Sequence, residues 1–289
     1  MTPPRRPRLS TLALVASAAL AGCGGGVVPD PGGTSPDVPL NCYGTECVPS
    51  DTLPTSAITA MMFVVDDGTR TQAQAGFNTD GSIFHNVELQ GDELDFVDGA
   101  TVTRMALARQ GAWDFFGNLL TLGQPYLADI SPQPATARDY AFRLVRAGGT
   151  LTSTVTLPAP FDITAPANNS AYAPSTTTIP VTLDAPEPVG DFSTTFTCTD
   201  SNGNQTGTRN ASGSPFSATD GSGEAYAFSV PTFLASLDWS AATLPVGTVR
   251  SCNVTIHVLQ VQPGSLAPGF HAFSVIQATQ TRQVQVTLR

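Results

Sequence analysis

Histidines can bind zinc or act in catalysis, and such sites have characteristic spacings in a sequence. The sequence contains three, namely His85, His257 and His271. They form neither an HxH nor an HExxH pattern, so the sequence does not indicate a histidine-based zinc site. No GxSxG segment is present to place a nucleophilic serine on a sharp turn. We therefore predict a protein that is not an enzyme, with an undetected hydrolase as the alternative.

Two segments rich in side-chain oxygens could bind calcium. Residues 91–99 carry four carboxylates, and strand alternation places Glu93 and Asp95 on one face. The other segment has oxygen-bearing side chains at alternate positions, namely Asp200, Asn202 and Asn204. Ala211 stands where a calcium loop needs its bidentate glutamate, and Asp, Asn and Gly also favour turns. We interpret the two segments as a solvated strand face and a hairpin loop, and we predict no metal and no cofactor.

Aromatic side chains could form a platform for a ligand in the least regular part of the first half. Trp113 and Tyr126 lie there, together with Phe115 and Phe116. Core packing is the common role of phenylalanine, whereas tryptophan and tyrosine combine an apolar ring with a polar group. We therefore select Trp113 and Tyr126 as candidate residues for binding a carbohydrate or a peptide.

The N-terminus has the layout of a secretory signal. Arg5, Arg6 and Arg8 precede an apolar run at 11–20, which is too short to span a bilayer as a helix. The next residues, Leu20-Ala21-Gly22-Cys23, resemble the lipobox of bacterial lipoproteins. The resemblance implies that the chain is cut before Cys23 and that this cysteine is acylated on its thiol and on its new N-terminus.

Acylation of Cys23 would determine where the protein resides. Several acyl chains hold a protein on a membrane far more firmly than one chain does. In the lipoprotein family, an aspartate after the cysteine favours inner-membrane retention, and this chain has Gly24 there. The resemblance therefore implies a lipid anchor in the bacterial outer membrane, in a host that has one, on either its periplasmic or its outer side.

Composition limits the partners that this chain can bind. Charged residues make up 12% of the sequence, and no lysine is present. Three of the 13 arginines lie in residues 1–22, so ten arginines accompany 23 carboxylates in the remainder. Because an acidic surface repels phosphate backbones, we exclude nucleic acid as a partner. Envelope proteins and glycans remain candidates.

Four cysteines follow Cys23, and an even number in an exported protein indicates disulfides. Four cysteines allow three pairings. We favour Cys42–Cys47, which closes a small loop, and Cys198–Cys252, which closes a long one. Metal binding is the rival interpretation, but the chain has no CxxC and no nearby histidine cluster.

After the signal, the chain divides into segments of different composition and hydrophobic pattern. Residues 23–55 are rich in Gly, Pro, Ser and Asp and predict a flexible tether. From residue 56 onward, short alternating runs are separated by turn signals such as Asp67-Gly68 and Gly148-Gly149. This rhythm predicts β-sandwiches. A proline-rich junction near residue 158 divides them into 56–158 and 159–289. One helical turn within Pro231–Trp239, capped by Thr232, is the exception to strand.

Both segments resemble immunoglobulin-like or fibronectin-type modules of bacterial surface proteins. The resemblance rests on strand rhythm and on DYAFRLVR and SCNVTIHV, which look like penultimate strands. It implies a tyrosine corner at Tyr140. The second segment lacks the tryptophan that an immunoglobulin domain packs soon after its first cysteine, so Cys198 and Cys252 could lie side by side within one sheet.

The sequence therefore predicts an all-β protein with two tandem immunoglobulin-like β-sandwich domains after a signal peptide and a disordered tether. Its predicted role is structural, adhesive or binding at the cell envelope. The alternatives are a carbohydrate- or peptide-binding module that uses Trp113, and a hydrolase.

Overall fold

The computed structural model places most of the residues that it describes in strands. It describes residues 48–79, 85–107, 126–173, 175–185, 191–206, 209–210, 215–219, 223–236 and 249–289. The predicted all-β class is confirmed. The first ten strands are β1 Val48–Pro49, β2 Ile58–Asp66, β3 Thr71–Thr79, β4 Val87–Glu88, β5 Glu93–Asp98, β6 Thr101–Arg104, β7 Ala106–Leu107, β8 Tyr126–Ile130, β9 Arg138–Arg146 and β10 Gly149–Leu157.

The second half continues in the same style. Its strands are β11 Ile163–Ala165, β12 Ser170–Tyr172, β13 Thr178–Leu183, β14 Asp191–Asp200, β15 Arg209–Asn210, β16 Phe216–Ala218, β17 Ala225–Ser229, β18 Val249–Pro263 and β19 Val275–Leu288. The described helices are short: two 3₁₀ turns at Ser50–Thr52 and Thr55–Ala57, and α1 at Val230–Ser236. None of them has the length and hydropathy that a bilayer-spanning helix requires.

A long sheet runs through both halves of the chain. Its strand order is β15-β14-β18-β19-β2-β3-β8-β7, with β12 also paired to β19. A sheet of order β10-β9-β5-β6 packs over the β2 side, and a sheet of order β11-β13-β17-β16 packs over the β18 side. Two hydrophobic cores result, as expected for sheets that each bury one face.

Strand β19 belongs to both cores. Residues 275–280 pair in parallel with β2, and Ile276 and Ala278 lie in the first core. Residues further along β19 pair with β18, and Val284, Val286 and Leu288 lie in the second core. The predicted boundary at residue 158 stays a prediction, but the last strand of the chain completes the first core.

Local turn chemistry explains the first hairpin. The carboxylate of Asp67 accepts hydrogen bonds from the backbone N–H groups of Thr69 and Arg70 at 2.8 and 2.9 Å. Gly68 has φ of 85°, a conformation that glycine adopts without steric cost. The predicted hairpin around Asp67-Gly68 is confirmed.

The predicted disulfide between Cys198 and Cys252 is also confirmed. The two residues lie directly opposite each other on β14 and β18, within one sheet. Both backbone groups of Cys198 bond to Thr206 on its other side, so the cysteine pair occupies a non-hydrogen-bonded position where side chains approach closely.

Two local predictions are corrected. Helix α1 begins at Val230, one residue before the predicted turn, and Ser229 is its cap, because its Oγ accepts the N–H of Thr232 at 3.3 Å. The predicted tyrosine corner does not form. Tyr140 is buried with its ring stacked on Phe96, and within the described residues its hydroxyl has no hydrogen-bond partner.

A buried ion pair lies where the two cores meet. The Arg282 side chain is 9% exposed, and its Nη1 donates to Oδ1 of Asp66 at 2.8 Å. Its Nε donates to the carbonyl of Phe161 at 2.7 Å, and its guanidinium lies over the ring of the same residue. Gln280 donates to the carbonyls of Pro158 and Ala159. Strand β19 therefore holds the connection between the halves.

We predict that Arg282→Met destabilises the protein by about 3–5 kcal/mol, because it leaves the buried carboxylate of Asp66 without its cation. The measurement is equilibrium unfolding in urea. Adding Asp66→Asn should recover part of the loss, since it removes the unpaired charge. A double variant that is less stable than the single one would contradict this account.

We also predict that Gly264→Ala destabilises the fold by about 1–3 kcal/mol. A Cβ there would lie 2.3 Å from the carbonyl oxygen of Thr154, so the backbone must move. Gly148→Ala is the matched control, because a Cβ there meets no atom within 4 Å. Equal thermal midpoints for the two variants would show that the close approach carries no cost.

Candidate functional site

The folded part of the chain begins earlier than composition indicates. Composition assigns residues 48–55 to the tether, whereas the structure places them in the fold. Val48 and Pro49 pair in parallel with Val87 and Glu88, and Ser50 is fully buried. We call residues 48–57 the lead-in, because they connect the N-terminal part of the chain to β2.

Arg146 clamps the lead-in to the first sandwich. Its Nη2 donates to the carbonyls of Ser50 and Leu53 at 2.6 and 2.8 Å. Its Nη1 donates to Oγ1 of Thr55 at 3.0 Å. Its Nε lies 3.0 Å from Oδ2 of Asp92, although this ion pair is not aligned as a hydrogen bond. Both charged side chains are largely buried, so the clamp works in a medium that strengthens it.

The clamp borders a cavity of about 380 Å³. Its walls are the lead-in on one side and the turn between β9 and β10 on the other, with Leu53, Pro54 and Leu151 as apolar lining. Arg146 directs its donors at protein acceptors, so it has little capacity left to bind an anionic ligand. The geometry supports attachment of the lead-in rather than a reaction.

Three segments meet at this end of the first sandwich, which we call the lead-in end. They are Ser50–Ile58, residues 146–151, and the part of the β18–β19 loop from Gly269 to Ser274. Thr55 connects them: it accepts a hydrogen bond from Arg146, and its methyl group lies 3.9 Å from where a Cβ of Gly269 would be. The backbone N–H of His271 donates to the carbonyl of Ile58 at 2.9 Å.

The carboxylates of residues 91–99 are paired with arginines. Arg104 contacts Glu93 and Asp95, both at 2.6 Å, and Arg138 contacts Asp98 at 2.6 Å. The hydrogen bond from Arg104 lowers the pKa of Glu93. This is a charge-paired strand face, and within the described residues no group of three or more His, Cys, Asp or Glu side chains could hold a metal.

The Asp200 loop is closed by its own hydrogen bonds. Oδ1 of Asp200 accepts the backbone N–H groups of Asn202 and Asn204, and Oδ2 accepts the side-chain amide of Asn204, each at 2.8 Å. The Asn204 side-chain bond is the main cause of the lowered pKa of Asp200. An amide donor therefore occupies the side of the carboxylate that a cation would need, in keeping with a turn.

Tyr126 lies in the first core. It is 6% exposed, and its ring packs edge-on against Phe77. Its hydroxyl accepts the N–H of Leu89 at 2.8 Å, and burial raises its pKa to about 12. The ring of this candidate therefore does not face a ligand.

The remaining candidates are of two kinds. His257 lies on the outer face of β18, where its Nε2 is 3.0 Å from Oγ1 of Thr195 and burial lowers its pKa. The carbonyl of His85 accepts the N–H of Thr79 at 3.0 Å, and His271 donates its backbone N–H to Ile58 at the lead-in end. The other predicted site residues fall outside the described residues, namely Cys23, Cys42, Cys47 and Trp113.

No family model matches this chain, and no curated protein matches it. Solved structures give remote similarities. The FN1–FN3 domains of chicken CNTN1 align over 85% of this chain and 70% of that one, with 10% identity and a TM-score of 0.29.

Bacterial structures are similarly remote. A cycloalternan-degrading enzyme from Trueperella pyogenes aligns over 76% of this chain and 34% of that one, with 11% identity and a TM-score of 0.27. The C-terminal domain of the Streptococcus pyogenes antigen I/II-family protein AspA covers 80% of this chain and 99% of that one, with 10% identity and a TM-score of 0.17. Scores this low carry no argument about function.

We predict that Arg146→Met releases the lead-in, because it leaves two carbonyls and the buried Asp92 without their donor. Hydrogen exchange at the backbone amides of residues 50–58 should accelerate by tenfold or more, and stability should fall by about 3–5 kcal/mol.

Arg104→Met is the matched control for this prediction. Arg104 also contacts two carboxylates, but its side chain is 51% exposed, so the pairs are screened and contribute little. Equal exchange of residues 50–58 in the two variants would rule out the clamp.

Proposed function

We propose that this chain is a lipid-anchored protein of the bacterial cell envelope with a non-catalytic binding or structural role. Residues 1–22 act as the signal, Cys23 carries the acyl chains, and the residues up to 47 form the tether. The folded unit begins at Val48. The proposed location is the outer membrane.

The Arg146 clamp is the observation that supports this proposal best. A protein held by a tether needs a fixed point where the tether joins the fold, because tension on the chain acts there first. The guanidinium bonds three residues of the lead-in, at Ser50, Leu53 and Thr55. These bonds supply such a point directly after the Gly- and Pro-rich segment.

The use of charged side chains supports a non-catalytic role. A catalytic acid or base must be within reach of a substrate. Asp66, Asp92 and Asp98 instead pair with arginines, and His257 contacts Thr195. These interactions explain the positions of these four groups by the fold alone. Binding of a carbohydrate or a peptide through Trp113 is a second candidate role. Its test compares the binding of the native protein and of Trp113→Ala on a glycan array.

The experiment is intact mass measurement with membrane fractionation of the native protein and of Cys23→Ala. We expect the native chain to begin at Cys23, to carry added acyl mass and to sediment with outer membranes, whereas the variant should lack the acyl mass. A native protein cut elsewhere, with the variant behaving identically, would contradict the anchor.

A second variant tests the destination separately from the anchor. Gly24→Asp should keep the acyl mass but move the protein to the inner membrane, as the lipobox resemblance implies. Unchanged fractionation of this variant would leave acylation standing and would contradict the sorting.

A further inference from the structure

The loop between β18 and β19 presents an exposed phenylalanine. Phe273 is 73% exposed, the highest value among the large apolar side chains of the described residues; the others that are exposed are Val102 at 53% and Val261 at 39%. Single exposed apolar residues are common on protein surfaces. Phe273 therefore gains meaning only from how it is held and where it lies.

Backbone hydrogen bonds hold this turn in place. Ser274 N–H donates to the carbonyl of His271, and His271 N–H donates to the carbonyl of Ile58, both at 2.9 Å. Oγ of Ser274 accepts the N–H of Ala60 at 2.9 Å. The backbone of the turn is thus attached at both ends to β2, so a contact made by the ring does not require the backbone to become ordered.

The turn lies at the lead-in end, where the chain from Cys23 reaches the fold. Val48 lies 25 positions after Cys23 in the sequence. A flexible chain of that length has an average end-to-end distance of about 25–30 Å. The proposed anchor therefore keeps Phe273 close to the membrane surface, at an effective concentration at which a weak contact is populated.

The chemistry of the loop suits a lipid interface. The loop 264–274 contains no Asp, Glu, Lys or Arg, and neither do the strand residues 251–263 and 275–281 beside it, although the chain as a whole has a net charge of −10. Pro268, Gly269 and Ala272 are exposed beside Phe273. Uncharged residues of this kind enter the boundary between headgroups and acyl chains without the cost of burying a charge.

We propose that the Phe273 turn is a second membrane contact, which inserts the ring into the bilayer interface and orients the folded unit on its tether. The proposal rests on the anchoring through Cys23 argued above. The lipid class is zwitterionic, because the acidic protein would be repelled by a strongly anionic surface. The contact is apolar, so added salt should leave it unchanged.

The experiment uses the mature acylated protein on vesicles of phosphatidylcholine and phosphatidylethanolamine. Phe273→Trp adds a fluorophore at the turn, and the wild type supplies the background of Trp113 and Trp239. We expect the added fluorescence to shift to the blue on vesicles. Its intensity should be at least twofold lower on vesicles of brominated lipid than on unbrominated vesicles, with and without added salt.

Val102→Trp is the matched control. Val102 is also exposed. It pairs with Val97 near the end of β5, whereas the start of β5 lies beside Asp92 at the lead-in end. Its fluorescence should remain accessible to iodide and insensitive to brominated lipid. Equal behaviour of the two introduced fluorophores would overturn the proposal.

Flotation of the vesicles separates the two proposals. Flotation reports the lipid anchor and does not depend on the side chain of the turn. If the Phe273→Trp protein floats while its added fluorophore remains in water, the second contact alone is overturned. Protein that does not float would overturn both proposals. A blue shift with lipid-free envelope proteins but not with vesicles would overturn the lipid contact in favour of a protein partner.

Discussion

The ion pair between Arg282 and Asp66 constrains how the two halves of this chain meet. A guanidinium this deeply buried is tolerated only where acceptors surround it. It finds them on Asp66 of the second strand and on Phe161 of the connecting segment. Gln280 holds Pro158 in the same way from two residues earlier in β19. Moving any one of these segments would leave a buried charge or carbonyl unsatisfied, so all of them are fixed together.

The lead-in depends on the same kind of interaction at the other end of the first sandwich. Arg146 replaces water as the partner of two carbonyls and compensates the charge of Asp92. In both places an arginine organises irregular backbone that no strand pairs. Its planar group with five donors suits this task better than the single charge of a lysine, a residue that this chain lacks entirely.

The features that sequence predicts here are the local ones. The Asp67-Gly68 hairpin follows from turn chemistry, and the arrangement of Cys198 and Cys252 within one sheet follows from the missing tryptophan. The pairing of β19 with β2 joins residues more than two hundred positions apart, and no local pattern encodes it. The role of Arg146 depends on the lead-in folding back beside β9, and the role of Phe273 depends on its exposure in the folded protein. The sequence marks these places only weakly. Arg146 ends a predicted strand, and a long uncharged segment precedes Arg282.

The position of β19 also determines when this chain can fold. The strand lies inside the long sheet between β18 and β2, so the first core lacks two of its buried residues, Ile276 and Ala278, until residues 275–280 pair with β2. Closing a contact of such sequence separation is slow. A central strand that lies more than two hundred positions after its partner delays the compact state, which would favour passage of an unfolded chain in the export proposed above.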